Sequence, residues 1–149
     1  MTKPSEMNSK WQEENKDVEF KMQDTYLYDD FAEVRELVKM LKADEVHRIR
    51  FMKLKSGDGE LDRHTDLVDT DSGVGDGKLM RIHFPIITND KVLFESWDLT
   101  GHKQCVNMGI NEAWLLDTRK PHRAVNNGEE DRVHLVIDIV SNPKTRTLL

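Results

Sequence analysis

Cysteine is nearly absent from this chain. Cys105 stands alone, which excludes an internal disulfide and any metal site built mainly from thiolates, and fits a reducing compartment. No apolar run approaches the length that spans a bilayer. The opening Met1-Thr2-Lys3-Pro4-Ser5-Glu6 has no apolar segment after its lysine, so no secretory signal is expected and the cytoplasm is the default compartment. Positive charge is in deficit: 22 Lys and Arg against 28 Asp and Glu give a net charge of −6, which argues against nucleic acid as a partner. There is no internal repeat. A length of 149 residues accommodates one domain with one core, and a small-molecule or proteinaceous substrate is the expected partner.

Met1 to about Lys21 is polar, with Trp11, Val18 and Phe20 at no clear period, and reads as a lead-in that extends to residue 28. The globular domain is expected over 29–149. From Asp29 to Ala43, Phe31, Val34, Leu37, Val38 and Leu41 recur at three- and four-residue steps, which predicts one amphipathic helix packed on a sheet. After Asp44 the period becomes two. Strands are predicted over Val46–Lys55, Leu79–Thr88, Val92–Trp97, Cys105–Met108, Ala113–Asp117 and Arg132–Val140. Many short strands with one or two flanking helices imply an all-β core, either sandwich or jelly roll. The segment Asp69–Gly77 is rich in Gly and Asp but has neither the Lys-Ser/Thr of a phosphate loop nor the terminal Glu of an EF-hand, so it reads as a mobile loop near a site mouth.

His64 and Asp66 are two apart, so on an extended segment both side chains leave one face. His122 follows much later and can return from the opposite side of a small barrel as a third ligand. Two imidazoles and one carboxylate on one face of an octahedral ion leave the other face open, the arrangement of non-haem iron oxygenases. Arg132, ten residues past His122, can answer a dicarboxylic co-substrate such as 2-oxoglutarate. Two Arg-x-His pairs follow the same alternation. Arg81 and His83 share a face against Met80, Ile82, Phe84 and Ile86. Arg132 and His134 share one with Val136, against Val133, Leu135, Ile137 and Ile139. In a sandwich such a polar face meets water; inside a closed jelly roll it lines a ligand pocket. His122 by itself reads as a loop residue, His47 and His102 as surface residues, and Trp114 and Phe84 as core.

Leu79-Met-Arg-Ile-His-Phe-Pro-Ile-Ile-Thr-Asn89, Gly109-Ile-Asn-Glu-Ala-Trp-Leu-Leu-Asp117, and His122-Arg-Ala-Val-Asn-Asn-Gly128 followed by Asp131-Arg-Val-His-Leu-Val-Ile-Asp138 together resemble the aspartyl/asparaginyl β-hydroxylase family of 2-oxoglutarate- and Fe(II)-dependent oxygenases. The likeness runs from about Val46 to Val140. It implies a cupin-like double-stranded β-helix with His64, Asp66 and His122 on Fe(II), and Arg132 on the distal carboxylate of 2-oxoglutarate. Arg81 and His83 match the pocket Arg-x-His, which contacts a carboxylate of co-substrate or substrate, with His134 beside them. The resemblance further implies that O2 is the oxidant, that succinate and CO2 are released, and that an amino acid or an amino-acid side chain in a peptide is hydroxylated. Some members lack the carboxylate ligand; Asp66 is present here. Family members carry a longer N-terminal region than the 45 or so residues that precede the first core strand here, so their substrate specificity does not transfer. A competing reading is a metal-binding jelly roll of cupin type that binds a small anion without turnover.

Overall fold

The computed structural model of the chain describes residues 13–14, 16–17, 24–66 and 79–147. The predicted loop Asp69–Gly77 lies outside the described residues, as does the lead-in through residue 21 apart from 13–14 and 16–17. The chain divides into two units, 1–42 and 43–149.

In the first unit the single predicted helix is two: α1 (Tyr26–Asp30) and α2 (Ala32–Met40). Phe31 separates them with φ −111° and ψ 77°, outside the helical region. The carbonyls of Tyr28 and Asp29, which lack intrahelical partners at the end of α1, accept from Arg35 Nη1 at 2.7 and 2.6 Å. Among the described residues no helix is long and apolar enough to cross a membrane.

The second unit holds eight strands: β1 (Glu45–Leu54), β2 (Gly59–His64), β3 (Leu79–Ile87), β4 (Val92–Trp97), β5 (Lys103–Val106), β6 (Trp114–Leu116), β7 (His122–Asn126) and β8 (Arg132–Val140), then a short α3 (Pro143–Arg146). They form two four-stranded sheets, β1-β8-β3-β6 and β2-β7-β4-β5, in which every pairing is antiparallel. The chain changes sheet at every step except the β4–β5 hairpin. That winding is the double-stranded β-helix, or jelly roll.

β8 runs through the middle of its sheet, and its apolar face of Leu135, Ile137 and Ile139, with Ile82 of β3, is buried to 2% exposure or less. Its other face carries Arg132, His134, Val136 and Asp138, all buried. Residues opposite each other in an antiparallel pair share a face. The register therefore adds Arg81 and His83 from β3 and Arg48 and Arg50 from β1 to that same polar side.

The sheets are pinned at one end by Asn126, which is fully buried at the end of β7. Its Nδ2 donates to the carbonyls of Lys55 at 3.0 Å and Glu130 at 2.8 Å, and its Oδ1 accepts from Gly128 N at 3.0 Å and Asn89 Nδ2 at 3.2 Å. One amide thus joins the ends of β1 and β7 to the loops before β4 and β8.

β4 and β8 fall where the periodicity placed them, β1 and β3 within a residue or so at each end, while β5 begins two residues earlier than predicted and β6 is shortened to three residues. β2 and β7 are the strands that the periodicity did not show. His122, expected in a loop, is the first residue of β7 and is buried.

Candidate metal centre

The two unpredicted strands are neighbours, and they carry the two histidines. β2 and β7 pair with Leu61 opposite Ala124 and His64 opposite His122, so β2 holds one extra residue between these pairs. That bulge re-aims His64. Without it the residue opposite His122 would be Arg63; with it the two rings meet, centroids 4.3 Å apart.

Asp66 is not on the strand with His64 as the two-residue spacing suggested. β2 ends at His64, and Asp66 sits two residues beyond, held by its backbone N–H on the Thr118 carbonyl at 2.9 Å. The outcome is the same: among the described residues, His64, Asp66 and His122 form a cluster in which one ligand atom from each lies within 4.8 Å of the others. His64 Nε2 and Asp66 Oδ1 are 3.3 Å apart, close to the edge of an octahedron with metal–ligand distances near 2.1 Å, which is about 3 Å.

The imidazole tautomers are set locally. His64 Nδ1–H donates to the Asp62 carbonyl at 2.6 Å and His122 Nδ1–H to the Lys120 carbonyl at 2.9 Å, each two residues back. Both Nε2 lone pairs are thereby left for an ion, the arrangement by which backbone carbonyls orient ligand histidines. His122 also stacks on Phe94, centroids 5.7 Å apart, and burial lowers its pKa, partly opposed by the Lys120 carbonyl. A depressed pKa keeps the ring neutral and able to ligate. The donor set of two imidazoles and a carboxylate suits a first-row divalent ion.

Arg81 and Asp138 stand behind the cluster. Arg81 donates from Nε to Asp138 Oδ1 at 2.7 Å and from Nη2 to Oδ2 at 2.9 Å, and its Nη1 pairs with Asp66 Oδ2. Asp138 is fully buried, and Arg48 Nε reaches its Oδ2 at 3.1 Å. Burial alone would raise the Asp138 pKa, but Arg81, Arg50 and Arg48 together hold it below the ordinary carboxylate range. Asp138 was absent from the candidate residues, although it continues the alternation of Arg132, His134 and Val136 on β8. Its phase was legible, but its partner was not, because Arg81 lies on a strand 57 residues away.

The second Arg-x-His pair has another character. Arg132 is 5% exposed and His134 1% exposed. His134 Nδ1 is 3.3 Å from His83 Nδ1, so one of these rings donates to the other. Among the described residues, Arg132 Nε and His134 Nε2 are buried without a hydrogen-bond partner. Burial draws the Arg132 pKa down to about 10. Arg81 and His83, grouped by their spacing, are thus separated in role: Arg81 is engaged by two carboxylates and His83 by His134. His47 is half-buried rather than on the surface, whereas His102 is exposed as expected. Trp114 and Phe84 are half-buried rather than core, with the Trp114 indole N–H donating to Glu112 at 2.7 Å.

The fold and the His-Asp-His cluster define a jelly roll with a candidate metal site. The chain matches the aspartyl/asparaginyl β-hydroxylase family over residues 3–142 and belongs to it. Among solved structures it resembles a non-heme monooxygenase, the ThoJ–nickel complex, with 13% identity and a TM-score of 0.50, covering 64% of this chain and 44% of that one. It also resembles a predicted oxalate decarboxylase from Thermotoga maritima, at 16% identity, TM-score 0.44, and 72% and 74% of the two chains. A cupin domain from Bordetella pertussis follows at 13% identity, TM-score 0.42, and 65% and 91%. The chain spans less than half the length of the first of these proteins, and that likeness is one of fold.

Proposed function

We propose that this protein is an Fe(II)- and 2-oxoglutarate-dependent oxygenase that hydroxylates an amino acid, free or within a peptide. The observation that carries the reading is Arg132: a guanidinium 5% exposed whose Nε has no partner among the described residues, on the polar face of β8. Burying a charge without an opposing one is costly, and a bound anion removes that cost. The distal carboxylate of 2-oxoglutarate fits, since a guanidinium takes a carboxylate through two parallel hydrogen bonds. His134 Nε2, unpartnered two residues along the same face, can add a third contact.

Iron held by His64, Asp66 and His122 would supply oxidation of an unactivated C–H bond by O2, with 2-oxoglutarate leaving as succinate and CO2. The protein's own residues supply placement: carbonyl-oriented imidazoles, an arginine-held carboxylate, and Phe94 flanking His122.

The test is 2-oxoglutarate binding to metal-loaded protein and succinate release across an amino-acid panel. Arg132→Ala should weaken 2-oxoglutarate binding by one to two orders of magnitude, the equivalent of about 1.5–3 kcal/mol for a charged hydrogen bond, and leave metal affinity unchanged. Arg132→Lys should recover only part of it. Normal 2-oxoglutarate binding by Arg132→Ala would sink the co-substrate assignment. Tight anion binding without succinate from any substrate would favour a non-catalytic cupin.

A further inference from the structure

We infer that Asp138 and Arg81 form a clamp that restricts Asp66 to ligating the metal through a single carboxylate oxygen, with Asp138 the positioning residue of the pair. The inference rests on the metal-site reading above. Asp138 is fixed first: it is fully buried on the central strand β8 and held by Arg48 Nε at 3.1 Å. It grips Arg81 by two parallel bonds of 2.7 and 2.9 Å, which set the plane of the guanidinium. The third arm, Nη1, is thereby aimed across the barrel at Asp66 Oδ2. Oδ1, the remaining oxygen, is the one beside His64 Nε2.

A carboxylate with both oxygens available can take one or two positions on a metal. The proposed reaction needs three open positions on an octahedral ion, two for a chelating co-substrate and one for O2. Two-oxygen ligation by Asp66 would leave only two. Arg81 occupies the second oxygen and keeps the third position open. A lysine has no equivalent geometry, because one ammonium cannot hold Asp138 at both oxygens and Asp66 together.

The experiment counts exchangeable waters by water-proton relaxation of the Mn(II)-loaded protein, alongside Mn(II) affinity, with folding checked by circular dichroism. Arg81→Met leaves Asp138 paired to Arg48 and frees Asp66. It should bind Mn(II) at least as tightly as the parent, since a neighbouring cation is removed and an oxygen gained. The relaxation enhancement per bound ion should fall by about a third, as three open positions become two. Asp138→Asn should move both quantities in the same direction, because it releases Arg81. In an Asp66→Ala background, Arg81→Met should no longer lower the enhancement. A purely structural role for Arg81 predicts the opposite sign, weaker Mn(II) binding with full enhancement, and that result overturns the proposal, as does unchanged enhancement in Arg81→Met. If Arg81→Met does not fold, Arg81→Lys is read by the same two criteria. Absence of stoichiometric Mn(II) binding by the parent protein, or an Asp66→Ala variant identical to it, removes the metal-site reading itself.

Discussion

His83 and His134 are two imidazoles enclosed beside a guanidinium, and neither tolerates a second proton. Burial and then Arg132 draw the His134 pKa down to about 3; burial, then His134 and Arg132, carry that of His83 well below its ordinary value. In the unfolded chain both titrate near 6.5. Above that pH neither state binds the proton. As the pH falls below it, the unfolded chain gains protons that the folded chain refuses, so stability declines until the folded groups titrate, near pH 3 for His134. Each such group contributes a slope approaching about 1.4 kcal/mol per pH unit within that window. Metal-free protein should therefore show a falling urea midpoint between pH 7 and pH 5, and His134→Gln should flatten it by roughly half. An unchanged pH slope in His134→Gln would mean that the ring is protonated or solvated in the folded protein. His122, whose pKa is also lowered by burial, should add to the same trend.

At the scale of strands, β7 carries the fold and the site together. Its last residue, Asn126, is fully buried and donates to the carbonyls of Lys55, just past β1, and of Glu130 in the loop before β8 while accepting from Gly128 and Asn89. Asn126→Ala removes a fully buried amide and all four of its bonds, at about 1 kcal/mol for each one. A loss of at least about 3 kcal/mol in chemical denaturation is expected, and Asn126→Asp should do no better, because a carboxylate would face two carbonyls. A loss under about 1 kcal/mol would mean that water replaces the amide readily. β1, β3, β4 and β8 were legible in advance from their sequence pattern, β1 and β3 because their register shifts fall near one end and leave most of the period of two intact. β2 was hidden by its bulge, which breaks the period of two just before His64, and by mostly exposed residues that give no apolar stripe. β7 was hidden by its length of five residues and by burial on both faces from Ala124 to Asn126, which erases alternation. The triad was nevertheless legible, because the residue types and their order survive where periodicity fails. The clamp was not, since Asp138, Arg81 and Asp66 meet only through sheet register and chain crossing.

For the whole molecule, the apolar core and the metal cluster are separate investments of the same two sheets. Ile82, Ile137 and Ile139 are buried on the face of their sheet opposite Arg81 and Asp138, so the packed core does not depend on an ion. Metal-free protein should remain folded. Addition of Mn(II) at about 100 times its dissociation constant stabilises the native state by about 2.7 kcal/mol, or a rise of roughly 5–10 °C in Tm for a chain of this size, reversed by a chelator. No shift in His64→Ala and a full shift in the parent would locate the effect at the cluster. Unfolding of the parent by chelator alone would show that the ion is structural.

The position of Arg132 after β7 has one more consequence. His122 opens that strand, Asn126 closes it, and Asn126 Nδ2 lies 3.3 Å from the carbonyl of Leu54, the residue paired with Arg132. The candidate metal cluster therefore lies at one end of this five-residue strand and the residue paired with Arg132 at the other, four steps or about 13 Å of backbone apart. Under the proposed function β7 would act as a ruler for the co-substrate, and its graduations are whole residues. Lengthening it by one residue would move Asn126 about 3.3 Å further from His122 and turn the next side chain to the other face. Under the proposed function, selection among oxo acids of different chain length would then be set by the backbone rather than by any side chain that could be exchanged by one substitution.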